Sequence, residues 1–153
     1  MIEVDFVKDN IPESLRSKCK IEKTDANSLF VKVKGENYGK IAESLKKDGF
    51  KRLLTVSAVD WLERRILEVY FIVHRIEDNL YVKVSTEISR DHPKIESISH
   101  LWINAAMHER EAWELFRITF KGNKNLRPLF LEGWSGPPPF RKDFNWIEYV
   151  REK

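Results

Sequence analysis

The densest run of ionisable side chains is His108-Glu109-Arg110-Glu111, and the chemistry such a run could do is metal binding or proton transfer. A zinc-peptidase helix needs a second histidine four positions after the first, because those positions share a helix face; Ala112 stands there instead. A di-iron bundle needs a glutamate three positions before a histidine, and here His108 precedes Glu111. The spacing therefore argues against a metal-dependent enzyme at His108 and Glu111, which would show itself as stoichiometric metal in the isolated chain. The structural reading is that Arg110 and Glu114, four apart, pair along the helix for a few tenths of a kcal/mol. Glu109 shares a face with Trp102 and Trp113, so it is expected to be partly buried and to need a cation; Arg127 and Arg141 are the candidates. His74, His92 and His100 have no companion at ligand spacing and read as structural or exposed. The glycines are scattered, so no phosphate-cradling loop is formed. Cys19 is the single cysteine, which excludes an internal disulfide and any cluster or zinc held by paired cysteines of this chain. It reads as an inert, half-buried thiol. The residues alone define no active site, no metal ligand and no cofactor.

The elements that position these residues belong to a chain of 153 amino acids, enough for one domain with a real core. Nine Phe, five Trp and four Tyr argue against disorder. With 27 basic and 24 acidic side chains spread evenly, the surface carries mixed charge. That pattern speaks against a stand-alone nucleic-acid-binding α+β domain, the rival reading suggested by a pI near 8.9 and the aromatics. Binding of that kind would weaken steeply with salt. The longest strongly apolar stretch, Val69–Val73, is far below the roughly 18 residues that span a bilayer. The start of the chain lacks a signal-peptide pattern, so an intracellular protein is expected. The absence of Gln and the wealth of Lys, Glu and Arg lean towards a thermophile.

Asp9 and Asn10 offer caps for a helix through Pro12–Leu15. A strand is predicted at about 28–34 and a helix over 36–48, with Gly49 as its C-cap. Three strands follow, Arg52–Trp61, Ile66–Ile76 and Leu80–Ile88, joined by short polar turns and therefore antiparallel. Both alternating sets of Ile66–Ile76 are largely apolar, which predicts the central strand, covered on both faces. His100–Phe116 reads as helix. After Phe120, Gly122, Pro128, Gly133, Gly136 and Pro137–Pro139 end regular structure. The expected organisation is an α+β domain over 1–120 and an extended tail over 121–153. Phe130, Trp134, Phe140, Phe144 and Trp146 in that tail must bury their rings against something. Two possibilities stand open: the tail folds back on its own domain, or, as favoured here, it straps onto a partner protein.

The last third resembles a known family. Ser97-Ile98-Ser99-His100-Leu101-Trp102, then Ala105, then Glu109 through Phe120, is similar to the hallmark of the thirty-kilodalton subunit of respiratory complex I. Leu126-Arg127, Trp134, Gly136 and Arg141-Lys142-Asp143-Phe144 resemble its closing motif, and Leu54 with Ala58-Val59-Asp60-Trp61 fits upstream. The departures are clear: Glu114 replaces the usual Asp, Arg117 the usual Gly, Gly122-Asn123-Lys124 a Gly-His-Pro and Phe140 a Leu, and the closing motif carries an extra proline. Such drift resembles the versions found in membrane-bound nickel–iron hydrogenases and sulfane-sulfur reductases. The resemblance implies a two-layer α+β fold with a mixed, largely antiparallel sheet in the order α-β-β-α-β-β-β, then a C-terminal helix and an irregular tail. A first short strand near Lys20–Thr24 completes that order. It also implies a non-catalytic, cofactor-free subunit of the peripheral electron-transfer arm, on the cytoplasmic side of a cell membrane whose complex moves ions. Iron–sulfur clusters and a nickel–iron centre would lie in neighbouring subunits. The partner would be the large hydrogenase-like catalytic subunit. Glu109, Arg110, Glu111 and Trp113 would form a node with Arg127 and Trp134, while Arg141, Lys142, Asp143 and Phe144 would anchor the tail to the partner.

Overall fold

A computed structural model describes residues 19–25 and 27–152. Its main sheet has five strands in the order β1-β2-β5-β4-β3: β1 Cys19–Asp25, β2 Ser28–Val33, β3 Arg52–Trp61, β4 Ile66–Arg75 and β5 Leu80–Ser89. The short turns make β3, β4 and β5 antiparallel neighbours, as predicted, and β1 pairs antiparallel with β2. Only β2 and β5 run parallel, because the chain between them crosses over through a helix and a hairpin. The expected α+β class and mixed, largely antiparallel sheet are what the chain forms. The helix anticipated around Pro12–Leu15 lies outside the described residues.

Register aligns Val31, Val84, Phe71 and Val56 across the sheet, and these side chains are buried on one face. Two helices cover that face: α1 (Tyr38–Lys47) and α2 (Ala105–Phe116). Tyr38 meets Phe71 edge-on at 5.2 Å, and Trp102, just before α2, lies 6.1 Å from the same ring. α1 closes with a hydrogen-bonded C-terminal turn: Phe50 N donates to Leu45 O at 3.1 Å and Gly49 N to Lys46 O. Gly49 takes φ +89°, which a side chain would resist, and Phe50 and Leu45 are both buried beneath the turn.

Two expectations are corrected. β5, not β4, is the middle strand, and β4 is covered on one face only: Ile66, Tyr70 and Ile72 are half-buried. Long polar side chains shield that outer face. Lys83 Nζ sits 4.4 Å above the Tyr70 ring, and Lys32 and Arg64 both bind Glu87. The second correction is the start of α2, which begins at Ala105 rather than His100. Its approach is held in turns because the Trp102 indole N–H donates to Phe50 O and the Asn104 amide donates to Leu53 O. With its side chain committed to β3, Asn104 makes no side-chain cap for its own helix. A small parallel sheet, β6 (Lys94–Glu96) with β7 (Thr119–Lys121), flanks α2. The chain ends in a short helix, α3 (Trp146–Arg151), whose first turn is capped by the Asn145 side chain.

Candidate functional site: the junction of helix and tail

α2 turns three of its charged residues to work that helical spacing alone does not show. Glu109 is fully buried. Its Oε1 accepts from Ile98 N at 2.8 Å, and its Oε2 accepts from Ser97 Oγ at 2.7 Å and Asn123 Nδ2 at 2.9 Å. Burial pushes its pKa up, and the three donors offset that only in part. The expected cation is not there. Arg127 is exposed and Arg141 Nε donates to Phe116 O, because neutral donors already occupy both carboxylate oxygens.

Arg110 and Glu114 do not pair along the helix either; each binds the backbone of the tail. Arg110 donates to Arg127 O and Pro128 O. Glu114 is buried and accepts three consecutive backbone N–H groups, from Leu129, Phe130 and Leu131, at 2.9–3.0 Å. Burial pushes its pKa up, but these donors outweigh it and hold the carboxyl below the usual range. A two-carbon reach suits this cradle. Residues 127–131 are thus fixed without regular secondary structure, their polar groups satisfied by the helix. Glu111 is half-buried, and Trp113 is half-buried against the core, lining a small groove with Arg117, Leu131 and Trp134.

The second anchor lies at the far end of β3 and β5. Asp60 is in phase with Val56 and Ala58 on the buried face, and Arg90 continues the phase of Thr86 and Ile88. Arg90 forks onto both Asp60 oxygens at 2.8 and 3.0 Å, and its Nη2 reaches Asp143 Oδ1 at 2.6 Å. Lys142 N donates to Asp60 Oδ2 at 2.8 Å. Burial pushes the Asp60 carboxyl up, but Arg90 and the Lys142 N–H outweigh it and hold it low; Arg90 holds Asp143 low as well. The Lys142 ammonium lies 5.5 Å over the Trp61 ring. Arg141, Lys142 and Asp143, expected on a partner, are therefore engaged by their own domain. Trp134 stacks on Trp146 at 6.0 Å and meets Phe144 edge-on at the same separation, with Tyr149 at 4.9 Å from Trp134. These rings cover one another in part, and Trp146 stays more than half exposed.

The candidate residues therefore fall into three groups: the Glu109 contact, the Arg110–Glu114 cradle and the Asp143 clamp beside the aromatic cluster. Arg90 and Asn123 were missed by sequence reasoning, as were the real partners of Asp60 and Glu114. A polar residue in phase with a buried apolar set was the available signal for Asp60 and Arg90. Asn123 carried none. Among the described residues no three His, Cys, Asp or Glu side chains converge to hold a metal ion, and no helix is long and apolar enough to cross a membrane.

Several large apolar side chains remain on the surface of the tail: Phe130, Phe140, Trp146, Ile147 and Val150 are all more than half exposed. Residues 31–150 match the profile of respiratory-chain NADH dehydrogenase, 30 Kd subunit. The chain belongs to that family. It is 31% identical over 135 residues to a subunit of the F(420)H(2) dehydrogenase of Methanosarcina mazei, covering 88% of this chain and 78% of that one. It is 33% identical over 146 residues to a subunit of the NADH-quinone oxidoreductase of Citrifermentans bemidjiense, covering 86% and 89%. For the NADH-quinone oxidoreductase relative from Coxiella burnetii the match covers only 44% of the relative. In fold, the chain is similar to a chain of an archaeal membrane-bound sulfane sulfur reductase, with TM-score 0.86 and 21% identity over 97% of this chain and 88% of that chain. It also resembles a trypsin-resistant fragment of Nqo5, with TM-score 0.67 and 20% identity over 80% and 97%.

Proposed function

We propose that the chain is a non-catalytic structural subunit in the peripheral electron-transfer arm of a complex I-related, membrane-bound oxidoreductase. It docks on the large hydrogenase-like catalytic subunit, on the cytoplasmic side of the membrane, beside subunits that hold iron–sulfur clusters and, in a hydrogenase branch, a nickel–iron centre. The observation that carries this reading is the tail: Arg110, Glu114 and Arg90 hold it to the domain while Phe130, Phe140, Trp146, Ile147 and Val150 are more than half exposed. Leaving several large apolar side chains in water is costly, at about 25 cal/mol per Å² of apolar surface, and a partner surface removes that cost. The named relatives support the parent complex, since they belong to F420H2 and NADH-quinone dehydrogenases. With Arg141 and Asp143 committed to Phe116 and Arg90, docking falls to the apolar side chains, and Arg141 and Asp143 act by holding the tail in shape.

The test is to tag the chain in its native cell, solubilise membranes in mild detergent and identify the co-purifying proteins by mass spectrometry. Recovery with a large hydrogenase-like subunit and iron–sulfur proteins is the expected result. Recovery of the chain alone, as a soluble monomer, overturns the proposal.

A further inference from the structure

Glu109 has surroundings suited to holding a proton. Its Oε2 lies 2.7 Å from Ser97 Oγ, and Ser97 Oγ lies 2.7 Å from Ser99 Oγ, a pair in which either hydroxyl can donate. Glu109 and Ser97 are buried, whereas Ser99 is half-buried at the surface next to exposed His100. A hydrogen-bonded line thus runs from a carboxylate in the core to the edge of solvent. We propose that Glu109, Ser97 and Ser99 form a proton-binding site in which the buried carboxyl exchanges one proton with water through two reversible hydroxyls.

The two protonation states use the same line in opposite directions. As a carboxylate, Glu109 accepts the Ser97 O–H, and Ser97 accepts from the Ser99 hydroxyl and from Ser99 N at 3.1 Å. As an acid, Glu109 donates from Oε2 to Ser97, which donates to Ser99, which donates to water. The conversion moves each hydroxyl proton one step inward and takes one proton from solvent at Ser99; no other bond forms or breaks. Few sites can accommodate both states, because a carboxylic acid surrounded only by fixed N–H donors has nowhere to direct its own O–H. Burial favours the neutral form, and the three donors and nearby His100 offset it only in part, in line with the upward push on the Glu109 pKa.

Two titratable groups act on Glu109 from neighbouring elements. From α1 comes the Tyr38 phenol, fully buried, with its hydroxyl unpartnered; burial first and the Glu109 charge second push its own pKa well up. From the turn comes His100, whose ring lies 3.9 Å from Glu43. Arg110 and Glu114 are turned to the tail, and Lys94, Glu96 and Lys121 on β6 and β7 are exposed. Protonation at Oε2 also weakens the contact from Asn123 Nδ2, the residue at which the tail leaves β7. The proton is therefore felt at the root of the tail. This site does not depend on which complex the chain serves.

The experiment is carboxyl-carbon NMR of the full chain, labelled at glutamate, across acidic to mildly alkaline pH. The Glu109 resonance is identified by its loss in Glu109→Gln, or by through-bond correlation to its backbone if that variant fails to fold. The expected midpoint lies above the ordinary glutamate range, and the Asn123 side-chain amide shifts with the same midpoint. Ser99→Ala leaves the acid form's Ser97 hydroxyl without an acceptor and moves the midpoint down. A midpoint in the ordinary glutamate range, or one that Ser99→Ala leaves unchanged or raises, overturns the proposal.

Discussion

Arg90 is the residue on which the most charge converges. It is nearly inaccessible, between a fully buried Asp60 and a half-exposed Asp143. Arg90→Ala leaves Asp60 as an unpaired buried charge and is expected to cost about 3–5 kcal/mol, as for other broken buried pairs. Asp143→Ala removes the outer partner only and should cost at most about 1 kcal/mol. Chemical denaturation of the full chain separates the two. The buried glutamates of α2 give opposite pH signs. Glu114 is held below the usual carboxylate range, so its stabilisation is complete above the ordinary glutamate pKa and is lost as pH falls through its folded value. Glu109 is pushed up, so the folded state holds its proton more tightly and stability falls as pH rises from the ordinary to the folded value. Glu114→Gln should therefore flatten the acid limb of a stability–pH profile, and Glu109→Gln should remove the decline above it. Profiles of the two variants that coincide would contradict this assignment.

Among the elements, the end of α2 carries a local cost that the tail offsets. Arg117 takes φ 62°, a left-handed conformation that costs a non-glycine residue about 1–2 kcal/mol, yet its guanidinium donates to Gly136 O at 2.9 Å. Arg117→Gly relieves the strain and releases that hold. It should change global stability by less than about 1 kcal/mol while raising amide exchange at Trp134, Ser135 and Gly136, measured by hydrogen exchange. Gly136 is the other half of the contact. A Cβ there meets Trp134 Cζ2 at 2.5 Å and Tyr149 Oη at 2.8 Å, atoms held in the packed aromatic cluster. Gly136→Ala should cost about 1–3 kcal/mol by overpacking and displace Trp134, read by its fluorescence.

At the scale of the whole molecule, the inward residues of the tail set its shape, and the proposed docking falls to apolar side chains that face out. The double change Ile147→Ser with Val150→Ser should leave stability within about 0.5 kcal/mol, since both side chains are more than half exposed. It should nevertheless abolish co-purification with the large subunit. Retained co-purification would remove α3 from the docking surface.

The element order, the α+β class and the strands β2 to β5 were legible in the sequence because alternation and short polar turns are local signals. The family was legible too, since Glu109-Arg110-Glu111 and Arg141-Lys142-Asp143-Phe144 stand at a characteristic separation. What the tertiary structure decided is the partner of each charged group. Glu109 is in the right place to need a cation, and only the approach of Ser97, Ile98 and Asn123 shows that neutral donors serve instead. Arg110 and Glu114 have ideal helical spacing, yet the unpaired backbone of residues 127–131 offers stronger, geometrically fixed partners than a solvent-exposed ion pair. Burial and hydrogen bonding depend on segments far apart in the chain: Arg90 and Asp143 are 53 positions apart and Lys142 and Asp60 are 82 apart. Periodicity reports which way a side chain points from its own element, and only the packed fold determines what it meets there.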